Sequence, residues 1–221
     1  MQNKKRVGIV FSGCGWLDGS EIHEATLALL YLDQNGVESV IMAPDKYQMD
    51  VVNHIDSNTQ PGEKRNVLVE SARIARGNIQ DLEKINPDDL DALILPGGFG
   101  AMKNLCDYAV KGSDLTVNSH LEKLLRDLNK AGKPTGFICI APMIAAKVFG
   151  DKQPRLTIGK DMKTASTLEQ FGARHVECKV EDIVADEDNK IVSTPAYMLG
   201  PSIASVAKGI EKLVKKVIEM A

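Results

Sequence analysis

Short runs of β-branched residues alternate with helical stretches along most of the chain, and this alternation restricts the fold more than any other feature. Arg6–Phe11 (RVGIVF), Glu38–Ala43 (ESVIMA), Asp91–Leu95 (DALIL) and Thr135–Ile140 (TGFICI) each read as a buried strand. Between them, Glu21–Asn35 reads as a helix stopped by Gly36. Thr116–Ala131 is amphipathic, with Leu121, Leu124, Leu125 and Leu128 recurring at helical spacing. Ala141–Phe149 begins with Pro142 at an early helix position, where a missing N–H costs little. Further on, the sequence predicts a strand at Arg155–Gly159, a helix at Asp161–Phe171 and a strand at His175–Cys178. A hairpin-like pair follows at Asp182–Ala185 and Lys190–Thr194, and a last helix runs over about Ser202–Met220. Such alternation implies βαβ crossovers and a mostly parallel sheet with helices on both faces. No repeat and no Pro/Ser-rich linker divides the chain. The least regular stretch, residues 47–76, reads as an insertion decorating the sheet.

Composition excludes several classes. The 221 residues are 43% hydrophobic and 26% charged, as in an ordinary globule with a full core. Twenty-seven basic residues against 30 acidic ones give a formal net charge of −3, without the basic excess of a general nucleic-acid binder. The cysteines at 14, 106, 139 and 178 form no C-x-x-C pair, so zinc-ribbon and thioredoxin-like patterns are missing. The apolar run Val7–Phe11 falls short of the roughly 7–15 residues of a secretory core. No run approaches the roughly 18 apolar residues of a membrane span. The expectation is a cytoplasmic protein with reduced thiols, no metal, and neither nucleic acid nor membrane as partner.

In open α/β sheets, ligands bind beyond the carboxyl ends of the strands, which directs attention to three loops. Ser12–Gly19 carries Gly13 and Gly15 at the first two places of a dinucleotide fingerprint. The third place falls on Asp18, with Gly19 one residue late, so a glycine-rich turn fits better. Pro96-Gly97-Gly98-Phe99-Gly100 is either a tight turn or a pair of oxyanion-type N–H donors. In the third loop, Cys139 sits where a buried strand turns into a helix. A nucleophile at such an elbow projects from the sheet, and the positive helix end behind it would lower the thiol pKa. The alternative is a small apolar filler.

A nucleophilic thiol needs an acid/base partner. The histidines are His23, His54, His120 and His175, and the residue after Cys139 is Ile140. Glu21 and Glu24 share a helix face. Asp18-x-x-Glu21 reads as a capping box, with Asp18 at the N-cap. Glu24 has no capping role; leading an apolar run, it is either a protonated or hydrogen-bonded acid near the site or a carboxylate exposed to solvent. Cys14, Glu21 and His23 are candidates for lining the pocket, whereas Cys106 and Cys178 read as structural.

Gly97-Gly98 after the third strand, Cys139 at the elbow and Glu24 early in the first helix resemble the PfpI superfamily, the class I glutamine amidotransferase-like proteins. Ser12–Gly15, Asp18–Ala25, Ala43–Lys46, Arg65–Leu68, Leu95–Gly100, Cys139–Pro142, Leu156–Gly159, Asp186–Val192 and Thr194–Leu199 are similar to its ElbB glyoxalase branch, the enhancing-lycopene-biosynthesis or sigma cross-reacting proteins. The resemblance implies a single flavodoxin-like domain over 1–221, usually a homodimer. It also implies a cofactor-independent glyoxalase converting glyoxal to glycolate. Cys139 would be the nucleophile, Glu24 its acid partner, and Gly97, Gly98 and Ile140 the residues binding the substrate oxyanion. Amidotransferase and PfpI-type protease activities would need a histidine after the cysteine, which this chain lacks. Other readings are a deglycase acting on glyoxal adducts, a cysteine redox sensor or regulatory protein, and a hydrolase borrowing His23.

Overall fold

A computed structural model describes residues 4–221, so the first three residues of the expected 1–221 domain lie outside the described residues. In chain order the elements are β1 (Arg6–Val10), α1 (Ile22–Gln34), β2 (Glu38–Ala43), α2 (Val67–Ile74), β3 (Gln80–Asp81), β4 (Ala92–Leu95), α3 (Phe99–Lys103), α4 (Tyr108–Lys111) and α5 (Ser119–Lys130). They continue with β5 (Thr135–Ile138), α6 (Pro142–Phe149), β6 (Arg155–Leu156), α7 (Met162–Gln170), β7 (Arg174–His175), β8 (Val184–Asp186), β9 (Ile191–Thr194) and α8 (Ile203–Met220). Seven strands form one sheet in the order β3-β2-β1-β4-β5-β9-β8. Every neighbouring pair is parallel except the β8–β9 hairpin. The expected α/β sandwich with a mostly parallel sheet is therefore the observed fold.

The period-2 pattern of each strand assigns its side chains to one of two cores. Val7, Ile9, Ile41, Ala92, Ile94 and Val192 face α1 and α8, meeting Ala25, Ala28, Leu32, Val206, Ile210 and Leu213. Val10, Met42, Leu93, Leu95 and Phe137 face the other way, onto the α5 leucines and the apolar side of α6. Gly136 lets α8 lie close against β5, since a Cβ there would come within 2.9 Å of Leu213.

Several boundaries differ from expectation. The predicted strands at 155–159 and 175–178 shrink to β6 and β7, which pair with each other outside the main sheet. Residues 47–76 contain an antiparallel bridge between Val52 and Thr59, and then α2. Neither α2 nor β3 was foreseen; the two residues of β3 are Gln-Asp, which carry no hydrophobic period. The capping box is also corrected. Glu21, not Asp18, is the N-cap of α1, and its carboxylate accepts the Glu24 N–H. The chain stays extended through residue 21 because Ser20 bridges Cys14 and the Glu21 N–H donates to the Gly97 carbonyl at 3.0 Å. Asp18 is instead buried, accepting the Val52 N–H at 2.8 Å.

Candidate active site

The site lies at the carboxyl ends of β1, β4, β5 and β9. β5 stops at Ile138, and the next residue, Cys139, has φ +62°. A non-glycine residue in this left-handed region costs roughly 1–3 kcal/mol. Flanking hydrogen bonds hold it there. The Cys139 N–H donates to the Thr194 carbonyl at 2.9 Å, extending the β5–β9 ladder, and the Ala141 N–H turns back to the Ile138 carbonyl at 3.1 Å. The thiol ends up 7% exposed on the floor of a cleft. The backbone N–H groups of Gly98 and Ile140 lie near its sulfur and favour its ionised form.

Glu24, in the first turn of α1, is fully buried. One carboxyl oxygen, Oε2, accepts the Gly97 N–H at 2.8 Å, and Oε1 accepts the Tyr197 N–H at 3.4 Å. The carboxyl also lies close to the Cys139 side chain, the two flanking Gly97. Glycine is required at 97 because a Cβ there would lie 2.5 Å from the Cys139 Cβ and 2.8 Å from Glu24 Oε2. Gly98 has φ +90°, and a Cβ there would meet the Glu21 nitrogen and the Gly19 carbonyl at 2.4 Å. The double glycine thus brings strand tip, acid and thiol into contact. Its roles are divided: Gly97 serves the carboxyl, while Gly98 and Ile140 face the sulfur.

Burial, reinforced by the nearby Glu21 carboxylate, raises the Glu24 pKa to about 8. Burial and the Glu24 carboxylate hold the Cys139 thiol well above the usual thiol range, although the Gly98 and Ile140 N–H groups pull it down. The expected thiolate stabilised by a helix end is therefore corrected. Desolvation outweighs those backbone donors, and the pair sits as an acid–thiol couple in which one ionisation disfavours the other.

Above the pair the cleft opens to about 460 Å³, walled by Trp16, Phe99, Met102, Tyr108, Tyr197 and Met198. Glu21 lines it as expected. Cys14 does not: it is half-buried, near Glu70, Arg73 and Asp18. His23 also stays out of the wall, with Nδ1 turned to the Tyr197 hydroxyl at 2.7 Å. The aromatic wall was missed from sequence because it is assembled from four separate segments; an aromatic residue in several strand-tip loops was the signal available. Among the described residues no cluster of ligating side chains suits a metal ion, and no helix is long and apolar enough to cross a membrane.

A parallel sheet of this order, with a cysteine at a strained elbow and a buried glutamate against it, defines a DJ-1/PfpI-like, class I glutamine amidotransferase-like protein. No family model matches the chain. The human glutamine amidotransferase-like class 1 domain-containing protein 3, mitochondrial, is 44% identical over 224 residues, covering 97% of this chain and 83% of that protein. The rat ES1 protein homolog, mitochondrial, is 43% identical over 226 residues, covering 98% and 84%. The crystal structure of an isoprenoid biosynthesis protein with amidotransferase-like domain from Ehrlichia chaffeensis superposes with a TM-score of 0.90 at 34% identity, covering 98% of this chain and all of that one. Drosophila melanogaster DJ-1beta shares the fold at a TM-score of 0.53 and 21% identity, covering 99% and 96%. The chain belongs to the ES1 family of class I glutamine amidotransferase-like proteins, the branch that includes ElbB-like structures. The mitochondrial relatives overturn the cytoplasmic expectation. The length of the Val7–Phe11 apolar run does not by itself choose a compartment.

Proposed function

We propose that the protein is a cofactor-independent glyoxalase that converts glyoxal, or a related α-oxoaldehyde, to the 2-hydroxy acid. The observation that carries this reading is the close approach of the Cys139 side chain and the buried Glu24 carboxyl on either side of Gly97, with the Gly98 and Ile140 N–H groups near the sulfur. Once Glu24 is ionised it accepts the thiol proton as the sulfur adds to an aldehyde carbon. The new oxyanion lies near the two N–H donors and takes that proton, giving a hemithioacetal and freeing the carboxylate. Glu24 then removes the hydrogen on the hemithioacetal carbon and delivers it to the neighbouring carbonyl carbon through an enediol. The product is a Cys139 thioester. Water hydrolyses it to the hydroxy acid and restores the thiol, so the net reaction adds one water and needs no oxidant.

The redox-sensor reading fits the site less well. Sensor thiols are exposed and low in pKa, whereas Cys139 is buried and its pKa is raised. A hydrolase borrowing His23 finds that imidazole turned to Tyr197 rather than lining the cleft. The test is a steady-state assay of glycolate from glyoxal. Wild type should form it and Cys139→Ala should not; equal rates would remove the thiol from the chemistry.

A further inference from the structure

We infer that the preferred substrate of this site is a neutral α-oxoaldehyde carrying an apolar group about the size of an aryl ring. This rests on the glyoxalase reading and extends it to the substrate class. Glyoxal, with four heavy atoms, fills a small part of a cleft of about 460 Å³, which falls within the range of roughly 300–1,000 Å³ that takes much larger ligands. The space is bounded by Trp16, Phe99, Met102, Tyr108, Tyr197 and Met198, which present mainly ring faces and thioethers. Trp16 and Phe99 form a tilted pair, centroids 5.9 Å apart, and both are about half exposed. Large side chains left this open beside a reactive centre are what an apolar ligand would cover.

The charges of the cleft narrow the class further. Glu21 is the one charged residue in its wall, and no lysine, arginine or histidine lines it. A substrate carboxylate or phosphate would meet that carboxylate without a cation to compensate, at a high desolvation cost. Because the thiol is on the floor, the aldehyde end points down to Cys139 and the substituent lies back between the rings. The chemistry balances as for glyoxal. Sulfur bonds to the aldehyde carbon, its hydrogen moves to the ketone carbon, the ketone oxygen becomes the hydroxyl, and water releases the acid from the thioester.

Trp16 is the chain's one tryptophan, so its fluorescence reports on the cleft directly. Wild-type protein is titrated with benzyl alcohol and with benzoate, which have similar shape and opposite charge status. Phenylglyoxal and glyoxal are then compared as substrates. The inference expects saturable quenching by benzyl alcohol, at least tenfold weaker binding of benzoate, and a kcat/KM for phenylglyoxal at least tenfold above that for glyoxal. The half-exposed Phe99 can be truncated without opening the core, and Phe99→Ala should lower that kcat/KM ratio severalfold. Benzoate binding as tightly as benzyl alcohol, or no saturable quenching, overturns the inference. Turnover of glyoxal with no advantage for phenylglyoxal overturns it and leaves the glyoxalase reading intact. Selective binding without turnover of either aldehyde overturns the glyoxalase reading, and the substrate assignment falls with it; the intact binding result tells this failure from the others.

Discussion

Replacing Glu24 by Gln should make the protein more stable while removing the proposed glyoxalase activity. An unfolded chain releases the Glu24 proton near 4.5, whereas the folded protein holds it up to about 8. Between those values the native state binds more protons than the unfolded one, so stability falls as pH rises, by about 1.4 kcal/mol per pH unit. From 4.5 to 7 this amounts to about 3 kcal/mol lost. A glutamine at this position would be neutral at every pH and of nearly the same shape. Its amide oxygen can accept the Gly97 N–H, but the amide NH₂ would then face the Tyr197 N–H that Glu24 now accepts at 3.4 Å. That lost acceptor costs about 1 kcal/mol. The net expectation is a variant more stable than wild type by about 2 kcal/mol at pH 7. The advantage should grow up to about pH 8 and cross to a small deficit near about pH 5. Urea unfolding of both proteins across this range measures the difference. A variant less stable than wild type at every pH, or a difference that does not change with pH, would refute the assignment of Glu24 as a buried acid held protonated by its surroundings.

Other consequences follow from the same contacts. Gly97→Ala should abolish turnover and destabilise by about 1–3 kcal/mol, because its methyl group would overlap the Cys139 Cβ and Glu24 Oε2; wild-type kinetics in that variant would show the strand-tip contact to be slack. Asn104, 1% exposed, donates to the Ser12 and Asp18 carbonyls at 2.8 Å and accepts the Met49 N–H at 3.0 Å. Asn104→Ala should therefore lower Tm by roughly 5–10 °C, read by calorimetry, since several buried groups lose their partner at once. Alkylation of Cys139 by iodoacetamide, followed by peptide mass, should still be accelerating at pH 9 in wild type. In Glu24→Gln its midpoint should move down, because the carboxylate that opposes the thiolate is gone. A plateau below pH 7 in wild type would show a preformed thiolate.

The parts of this molecule legible from sequence are those that local patterns control. β1, β2, β4 and β5 are continuous apolar runs bounded by turn residues, and the α5 leucines sit at helical spacing, so both signals survive tertiary context. Cys139 and Glu24 were visible because a thiol at a strand–helix junction and a carboxylate heading an apolar helix are each out of place in an inert core. Features set by distant partners were hidden. The start of α1 depends on a bridge from Ser20 to Cys14 and on the Gly97 carbonyl, which the local Asp18-x-x-Glu21 pattern cannot register. The direction of the Cys139 shift depends on how completely α1 buries the thiol and its acid, so the helix-end argument pointed the wrong way. The aromatic wall joins Trp16, Phe99, Tyr108 and Tyr197 from four regions of the chain, with no motif in common.

The most direct test of the account is to follow glyoxal in heavy water by NMR with wild type beside Cys139→Ala. If the thiol and Glu24 act as argued, only wild type makes glycolate, and any solvent deuterium bound to its carbon marks the enediol, since a direct hydride shift would bring in none. Glycolate formed equally by both proteins, or none formed by either, would contradict it.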